Sequence, residues 1–217
     1  MKKISLLAGA TAFAALALVP NAASAQSTPW SVRLGATEIR MASQSDAFTA
    51  LGLDFPSDAV DVGNKAIPEI DVYYSFTPNI VAQLVLTYPQ IADVTLGGPT
   101  KGASLGTFKF LPPTLVGQYH FLPGQMFDPY AGVGVNFTWI TSVNLGVAGV
   151  PLDLKKTSFG AALNVGGDLN LDKNWFLNAD IKYINPLQSD VLLPSGSTLT
   201  TVKVNPTLYS LGVGYHF

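Results

Sequence analysis

The chain has 217 residues, no cysteine and a formal charge of -2, with 48% hydrophobic and 12% charged residues. Such a balance offers no basic surface to a nucleic-acid partner, and an exported chain without cysteine must hold its fold without disulfides. A soluble domain carries about twice this share of charge, so something other than water covers much of the surface.

At the start, Lys2 and Lys3, an apolar stretch from Ile4 to Val19 and then Ala23-Ser24-Ala25 read as a cleavable secretory signal over residues 1–25. The mature chain, residues 26–217, then begins at Gln26 and makes one domain of about 190 residues. Losing the two lysines takes the formal charge from -2 to -4. No later apolar run approaches the roughly 20 residues of a transmembrane helix.

Eight segments alternate with a period of two, the signature of strands with one oily and one polar or small face. In chain order they are "WSVRLGAT" from Trp30, the segment in which Glu69, Asp71, Tyr73 and Ser75 oppose Ile70, Val72, Tyr74 and Phe76, and the segment from Ile80 to Tyr88. "FKFLPPTLVGQYHF" (Phe108 to Phe121), "PYAGVGVNFTW" (to Trp139) and "FGAALNVGGDLNL" (from Phe159) follow. The last two are "WFLNADIKYI" (Trp175 to Ile184) and "TVKVNPTLYSLGVGYHF" (to Phe217). Their connections alternate between long (Met41 to Lys65, Gln90 to Thr107, Thr141 to Lys156, Pro186 to Leu199) and short ("TPN", "LPGQMFD", "DKN").

Alternation alone also fits a soluble sandwich. Aromatic residues at strand ends (Trp30, Tyr74, Phe76, Tyr88, Trp139, Trp175, Tyr183, Tyr215, Phe217), low charge and the long-short rhythm together fit an all-β, eight-stranded antiparallel transmembrane β-barrel with both termini at the short-turn end. Lipid then takes Trp175, Leu177, Ile181 and Tyr183, and the interior takes Asp180 and Lys182. Alternation slips near Pro112-Pro113 and near Pro206, where Lys203 is expected inward, and bulges are expected at those prolines.

The inward set holds Arg33, Glu69, Asp71, Asp168, Asp180 and Lys182, with Asn136, Asn164 and Asn178 between them. Charge confined in a barrel is costly unless paired, so these groups are expected to pair. They either plug the lumen or line a path for one small ligand. His120 and His216, the only histidines, fall at the short-turn end with no serine and carboxylate evident nearby, so no catalytic triad is expected. "GVGVN" lacks the third glycine of a dinucleotide loop, and Asn136-Phe137-Thr138 is a glycosylation acceptor inside a membrane strand. Asp46, Asp54, Asp58 and Asp61 match no calcium-loop spacing. No cofactor and no metal is expected.

"FLPPTLVGQYHF", "DPYAGVGVNFTW", "SFGAALNVGGDLNLDKNWFLNADIKYI" and the terminal "LGVGYHF" resemble the bacterial outer-membrane protein W (OmpW) family over essentially the whole mature chain. The resemblance implies a monomeric barrel in the Gram-negative outer membrane, amid lipid and lipopolysaccharide, with a narrow, largely apolar passage for small hydrophobic molecules. It includes alkane-uptake relatives and implies a Phe217 tail read by the barrel-assembly machinery. The alternative is a closed structural or surface-interaction barrel without transport. The pathway residues so expected are Val85, Asn136, Asn164, Asn178, Asp180 and Lys182. The resemblance sets Lys182 where some members carry a large apolar residue at the constriction, with Val85 facing it. Lys182 either pairs with Asp180, roughly 7 Å away along the strand, or draws carboxylate-bearing hydrophobes into the site.

Overall fold

A computed structural model describes residues 28–50, 52–97, 102–147, 149–185 and 187–217. The signal segment and Gln26 lie outside the described residues. The strands are β1 (Trp30–Arg40), β2 (Ser43–Ser45), β3 (Phe48–Ala50), β4 (Leu53–Phe55), β5 (Val60–Val62), β6 (Lys65–Ser75), β7 (Ile80–Leu86), β8 (Gln90–Leu96) and β9 (Ala103–Leu111). They continue as β10 (Thr114–His120), β11 (Phe127–Val147), β12 (Val150–Leu154), β13 (Thr157–Asn170), β14 (Trp175–Asn185), β15 (Leu187–Leu192), β16 (Thr198–Val204) and β17 (Thr207–His216).

Eight of them close a ring by antiparallel pairing, in the order β1, β6, β7, β10, β11, β13, β14, β17 and back to β1, where Ser31 faces His216 and Arg40 faces Thr207. Closure pairs the eight strands around the ring and so limits the unpaired strand edge left in lipid, where an unpaired peptide group is costly. Along β14 every second residue from Phe176 to Ile184 is buried, and its alternates from Trp175 to Tyr183 are exposed. The outer face is correspondingly oily: Val133, Phe159 and Leu211 are 66%, 71% and 68% exposed. At the turn end, Trp30 meets Tyr74 edge-on at 4.8 Å and Trp175 meets Tyr215 at 5.0 Å, so aromatic pairs ring that end.

Inward glycines make room for the large side chains of the lumen. A Cβ on Gly214 would lie 2.0 Å from the Phe176 ring, and one on Gly212 would lie 2.8 Å from Arg33 Cγ.

The long connections differ from the expectation of loops. They form a second, upper wall in the order β5, β8, β9, β11, β12, β15, β16, β2. Its two end strands are joined by side chains: the amides of Val60 and Val62 donate to Ser45 Oγ at 3.3 Å and Ser43 Oγ at 3.0 Å. This wall encloses an apolar core of Phe55, Val62, Val94, Phe110, Leu152, Val202 and their neighbours.

Two further expectations are corrected. The prolines break strands rather than bulge them: β9 stops at Leu111 and β10 starts at Thr114 around Pro112-Pro113, and β16 stops at Val204 with β17 starting at Thr207 around Pro206. Proline has no N–H to give the ladder, so the strand ends there and resumes with its parity kept. Register shifts instead fall on β11 between Ile140 and Ser142, on β8 between Val94 and Thr95 and on β15 between Val191 and Leu192. Lys203 is not inward: Thr200 and Val202 are the buried residues of β16, and Lys203 stays partly exposed on the opposite parity.

The wall also carries a slit. β6 pairs with β7 only from Ser75 to Ile70, and β8 pairs with β5 and β9 instead of β6. From Asn64 to Glu69, about 20 Å of strand at 3.3 Å per residue, two side-chain bonds cross the gap. Thr87 Oγ1 donates to the Pro68 carbonyl at 3.0 Å, and Lys65 Nζ donates to the Ile91 carbonyl at 2.7 Å. The slit is shut above by the Gly63 amide donating to the Asp93 carbonyl at 3.1 Å, and below by the Ile70–Leu86 pair.

Candidate functional site

The lumen is built in three levels, each set by strand register. The middle level is a polar plug. Arg33, fully buried on β1, reaches across to β6 and β14: its guanidinium bonds Glu69, Asp71 and Asn178, and lies 3.0 Å from Asp180 Oδ2. Lys182 Nζ donates to both oxygens of Asp180, at 2.8 and 2.6 Å, and lies 3.8 Å from Glu69 Oε1. Three carboxylates therefore share two cations, with every partner buried, and the ion pairs are held in place by bonds that use their remaining lone pairs.

Neutral groups knit the plug to the rest of the wall. Gln83 donates to Asp71 and to Tyr73, each at 3.1 Å, and Gln118 donates to Gln83 at 2.9 Å and to Asn164 at 2.8 Å. Asn178 donates to Tyr130 at 2.8 Å and to Asp168. The expected pairing of Lys182 with Asp180 is present. Gln83, Gln118 and Tyr130 were not singled out from sequence, although they share the inward parity that marks the rest.

Below the plug, a cavity of about 590 Å³ opens at the turn end between Ser31, Tyr73, His120, Asp128, Asp168, Phe176 and His216. Contrary to expectation, each histidine has a partner at hand. His120 Nδ1 lies 2.9 Å from Asp128 Oδ2, and His216 Nδ1 lies 2.7 Å from Ser31 Oγ. The serine and the carboxylate are held by different histidines, so no triad is assembled. Among the described residues no group of three or more His, Cys, Asp or Glu is arranged to hold a metal ion.

Above the plug, Ile39, Ile67, Ala162, Ile184 and Leu208 form an apolar layer. Over it lies a cavity of about 100 Å³ inside the upper wall, lined by Met41, Val62, Phe108, Phe110, Ile140, Leu152, Leu199 and similar side chains, with Thr138, Ser158, Gln188, Ser189 and Thr200 as its polar members. That volume is of the same order as an apolar cavity that accepts benzene.

All six residues expected along the pathway are inward and buried: Val85, Asn136, Asn164, Asn178, Asp180 and Lys182. The register gathers Asn164, Asn178, Asp180 and Lys182 into the plug, and sets Asn136 and Val85 on either side of Thr114, above it. None of the six lines the upper cavity. Asn136 is wholly buried and its amide is bonded, which removes it as a glycan acceptor. Many residues that line the upper cavity, among them Val62, Val94, Leu145, Leu152 and Val191, belong to segments read from sequence as loops, whereas Phe108, Phe110, Thr138, Val202 and Val204 belong to segments read as strands. The signal that could have found them is the short alternation of Val60 and Val62, Val94 and Leu96, and Leu152 and Leu154.

The profile of the OmpW family matches residues 27–217. An uncharacterised outer-membrane protein of Sinorhizobium fredii, y4mB, is 34% identical over 198 residues, covering 88% of this chain and 80% of the relative. The dibenzothiophene metabolism operon protein PahQ of Pseudomonas aeruginosa is 25% identical over 201 residues, covering 89% of this chain and 90% of the relative. Among solved structures, the outer-membrane protein OprG of Pseudomonas aeruginosa superposes with a TM-score of 0.74 at 25% identity, covering 88% of this chain and 97% of that one.

Proposed function

Because the chain belongs to the OmpW family and is an outer-membrane β-barrel, we propose that it lets small hydrophobic molecules cross the outer membrane passively, entering the cavity at the loop end and leaving through the wall. The observation that carries this reading is the stacking of an apolar cavity directly over a paired polar plug. An apolar molecule gains by entering the first and loses by entering the second, where it would separate ion pairs from one another. The slit between β6 and β8 spans the height of the apolar layer, at Ile67, and two side-chain bonds cross it. Similarity to a protein named for dibenzothiophene metabolism supports an apolar cargo.

On this reading no covalent step occurs, and the barrel works as a monomer amid lipid and lipopolysaccharide. The signal segment is removed before Gln26, and the assembly machinery reads the tail ending in Phe217, whose amide donates to the Trp30 carbonyl at 3.2 Å.

The test is uptake into liposomes of an alkane-like probe beside a sugar, with and without a cross-link between Pro68→Cys and Thr87→Cys across the slit. Faster entry of the apolar probe alone, abolished by the cross-link and restored by reduction, is expected. Apolar uptake no faster than in protein-free liposomes would make the barrel a structural one. Uptake insensitive to the cross-link would move the exit elsewhere.

A further inference from the structure

The slit between β6 and β8 is held shut in part by a side chain that does not itself cross it. Pro68 has no N–H, so its carbonyl is the one hydrogen-bonding group its backbone offers. That carbonyl accepts from Thr87 Oγ1 at 3.0 Å. A carbonyl carries no proton, so the single proton of the Thr87 hydroxyl is committed to Pro68, and any further partner of Oγ1 must bring its own. Gln90 does so: its Nε2 donates to Thr87 Oγ1 at 3.1 Å and to the Tyr88 carbonyl at 2.9 Å, using both amide protons.

The same two partners fix which way the Gln90 amide faces. Turned over, Oε1 would meet a carbonyl and a hydroxyl whose proton is already spent, with no donor between them. The orientation is kept although it leaves Oε1 unserved. Gln90 is wholly buried on the inward face of β8, and its Oε1 has no hydrogen-bond partner among the described residues. A buried acceptor without a donor destabilises a fold, so what the side chain contributes in return lies in the two bonds of its nitrogen. Its backbone is fixed as well, because Gln90 faces Phe110 in the β8–β9 ladder. The next residue, Ile91, gives its carbonyl to the second crossing bond, from Lys65 Nζ at 2.7 Å.

Resting on the reading that hydrophobic molecules leave through this slit, we infer that Gln90 is a positioning residue of the lateral exit: by donating into Thr87 Oγ1 it aims the Thr87 proton across the slit at Pro68 and keeps the wall latched. A hydroxyl that accepts one hydrogen bond also gives a stronger one. Without the Gln90 donor, the Thr87 hydroxyl is free to rotate off Pro68 and the latch opens more often. Gln90 does not line the upper cavity, so it governs how fast cargo leaves and not how tightly cargo is held.

The experiment uses the full mature chain in lipid, with the Pro68 carbonyl carrying carbon-13, and measures that carbonyl resonance together with liposome uptake of an alkane-like probe. Thr87→Val removes the latch, and uptake at saturating probe is expected to rise by about fivefold, the loss of one hydrogen bond. Gln90→Met, close to glutamine in length and able to keep the β8–β9 ladder, is expected to move the Pro68 resonance in the same direction as Thr87→Val. It should raise uptake by a smaller factor, leave the half-saturating probe concentration unchanged, and have no effect once Thr87 is replaced by Val. The unboiled mobility of each variant on a gel verifies that its barrel is closed. A Pro68 resonance that ignores Gln90→Met, or a Gln90→Met effect on uptake that is equal with and without Thr87, would make Gln90 a space-filling residue and overturn the inference. If both variants move the Pro68 resonance and neither changes uptake, it is the lateral exit that fails, and the place of Gln90 in it fails too, while its hold on the Thr87 hydroxyl stands.

Discussion

Replacing Arg33 with Met tests whether the plug is an ion-pair structure centred on that one side chain. Met keeps the apolar stem that lies over Gly212, where even a Cβ would approach Arg33 Cγ to 2.8 Å, so packing changes little. What is lost is the cation. Glu69, Asp71 and Asp180 then share Lys182 alone, and Lys182 reaches Asp180 at 2.6 Å but Glu69 only at 3.8 Å. Removing one partner from a buried ion-pair cluster costs about 3–5 kcal/mol, a large part of the stability of a folded domain. The assay is urea unfolding of the barrel in lipid vesicles, followed by tryptophan fluorescence and by the mobility of the folded band. Adding Asp71→Asn to the Met variant should restore at least about 1 kcal/mol, because Gln83 still satisfies that side chain while one unpaired charge disappears. In planar bilayers the Met variant should also conduct ions more than the unaltered protein, as water follows the uncovered carboxylates. Stability within about 1 kcal/mol of the original, with unchanged conductance, would refute the idea that Arg33 closes the lumen.

Gly214→Ala forces its Cβ against the Phe176 ring, and an unfolding titration should show a loss of about 1–3 kcal/mol that Phe176→Leu partly reverses. Lys182→Met leaves Asp180 and Glu69 poorer by a cation but touches no residue of the upper cavity, so uptake of a fatty acid and of an alkane of equal length should change by the same factor; selective loss of the fatty acid would instead make Lys182 a ligand contact. The amides of Trp175 and Asn174, each donating to Asp172 at 2.8 Å, hold that exposed turn carboxylate below its ordinary pKa. A depressed carboxylate adds stability that is complete above its unfolded pKa, about 3.9, and is lost as pH falls through the folded value. Asp172→Asn, which cannot carry the charge, should therefore lower stability at neutral pH and flatten the profile below about pH 4, where the variant and the original protein converge.

The inner and outer faces of the eight staves were legible because parity is local: Asp180 and Lys182, two apart on one strand, must share a face and can meet. Arg33 was recognisable as inward, but its partners sit on β6 and β14, and only register says which carboxylates it reaches. The upper wall was hidden for another reason. Apolar pieces such as Val60–Val62 are too short to stand out as strands. Their burial depends on closing β5 against β2 through Ser43 and Ser45, contacts distant in sequence.

Two other prolines connect the architecture to the proposed route. Pro68 lies in β6 beside the slit, and its carbonyl is satisfied by the Thr87 hydroxyl rather than by a strand amide; Pro89 separates β7 from β8 just below. A continuous ladder there would require both strands to offer amides in step, and proline removes them. In lipid an unsatisfied carbonyl costs several kcal/mol, so two side chains, Thr87 and Lys65, stand in for the ladder. Side-chain bonds can break one at a time, whereas a ladder opens cooperatively. On the proposed route, a barrel that seals its axis with ion pairs and holds one part of its wall by separable bonds would offer an apolar molecule less resistance sideways than downwards.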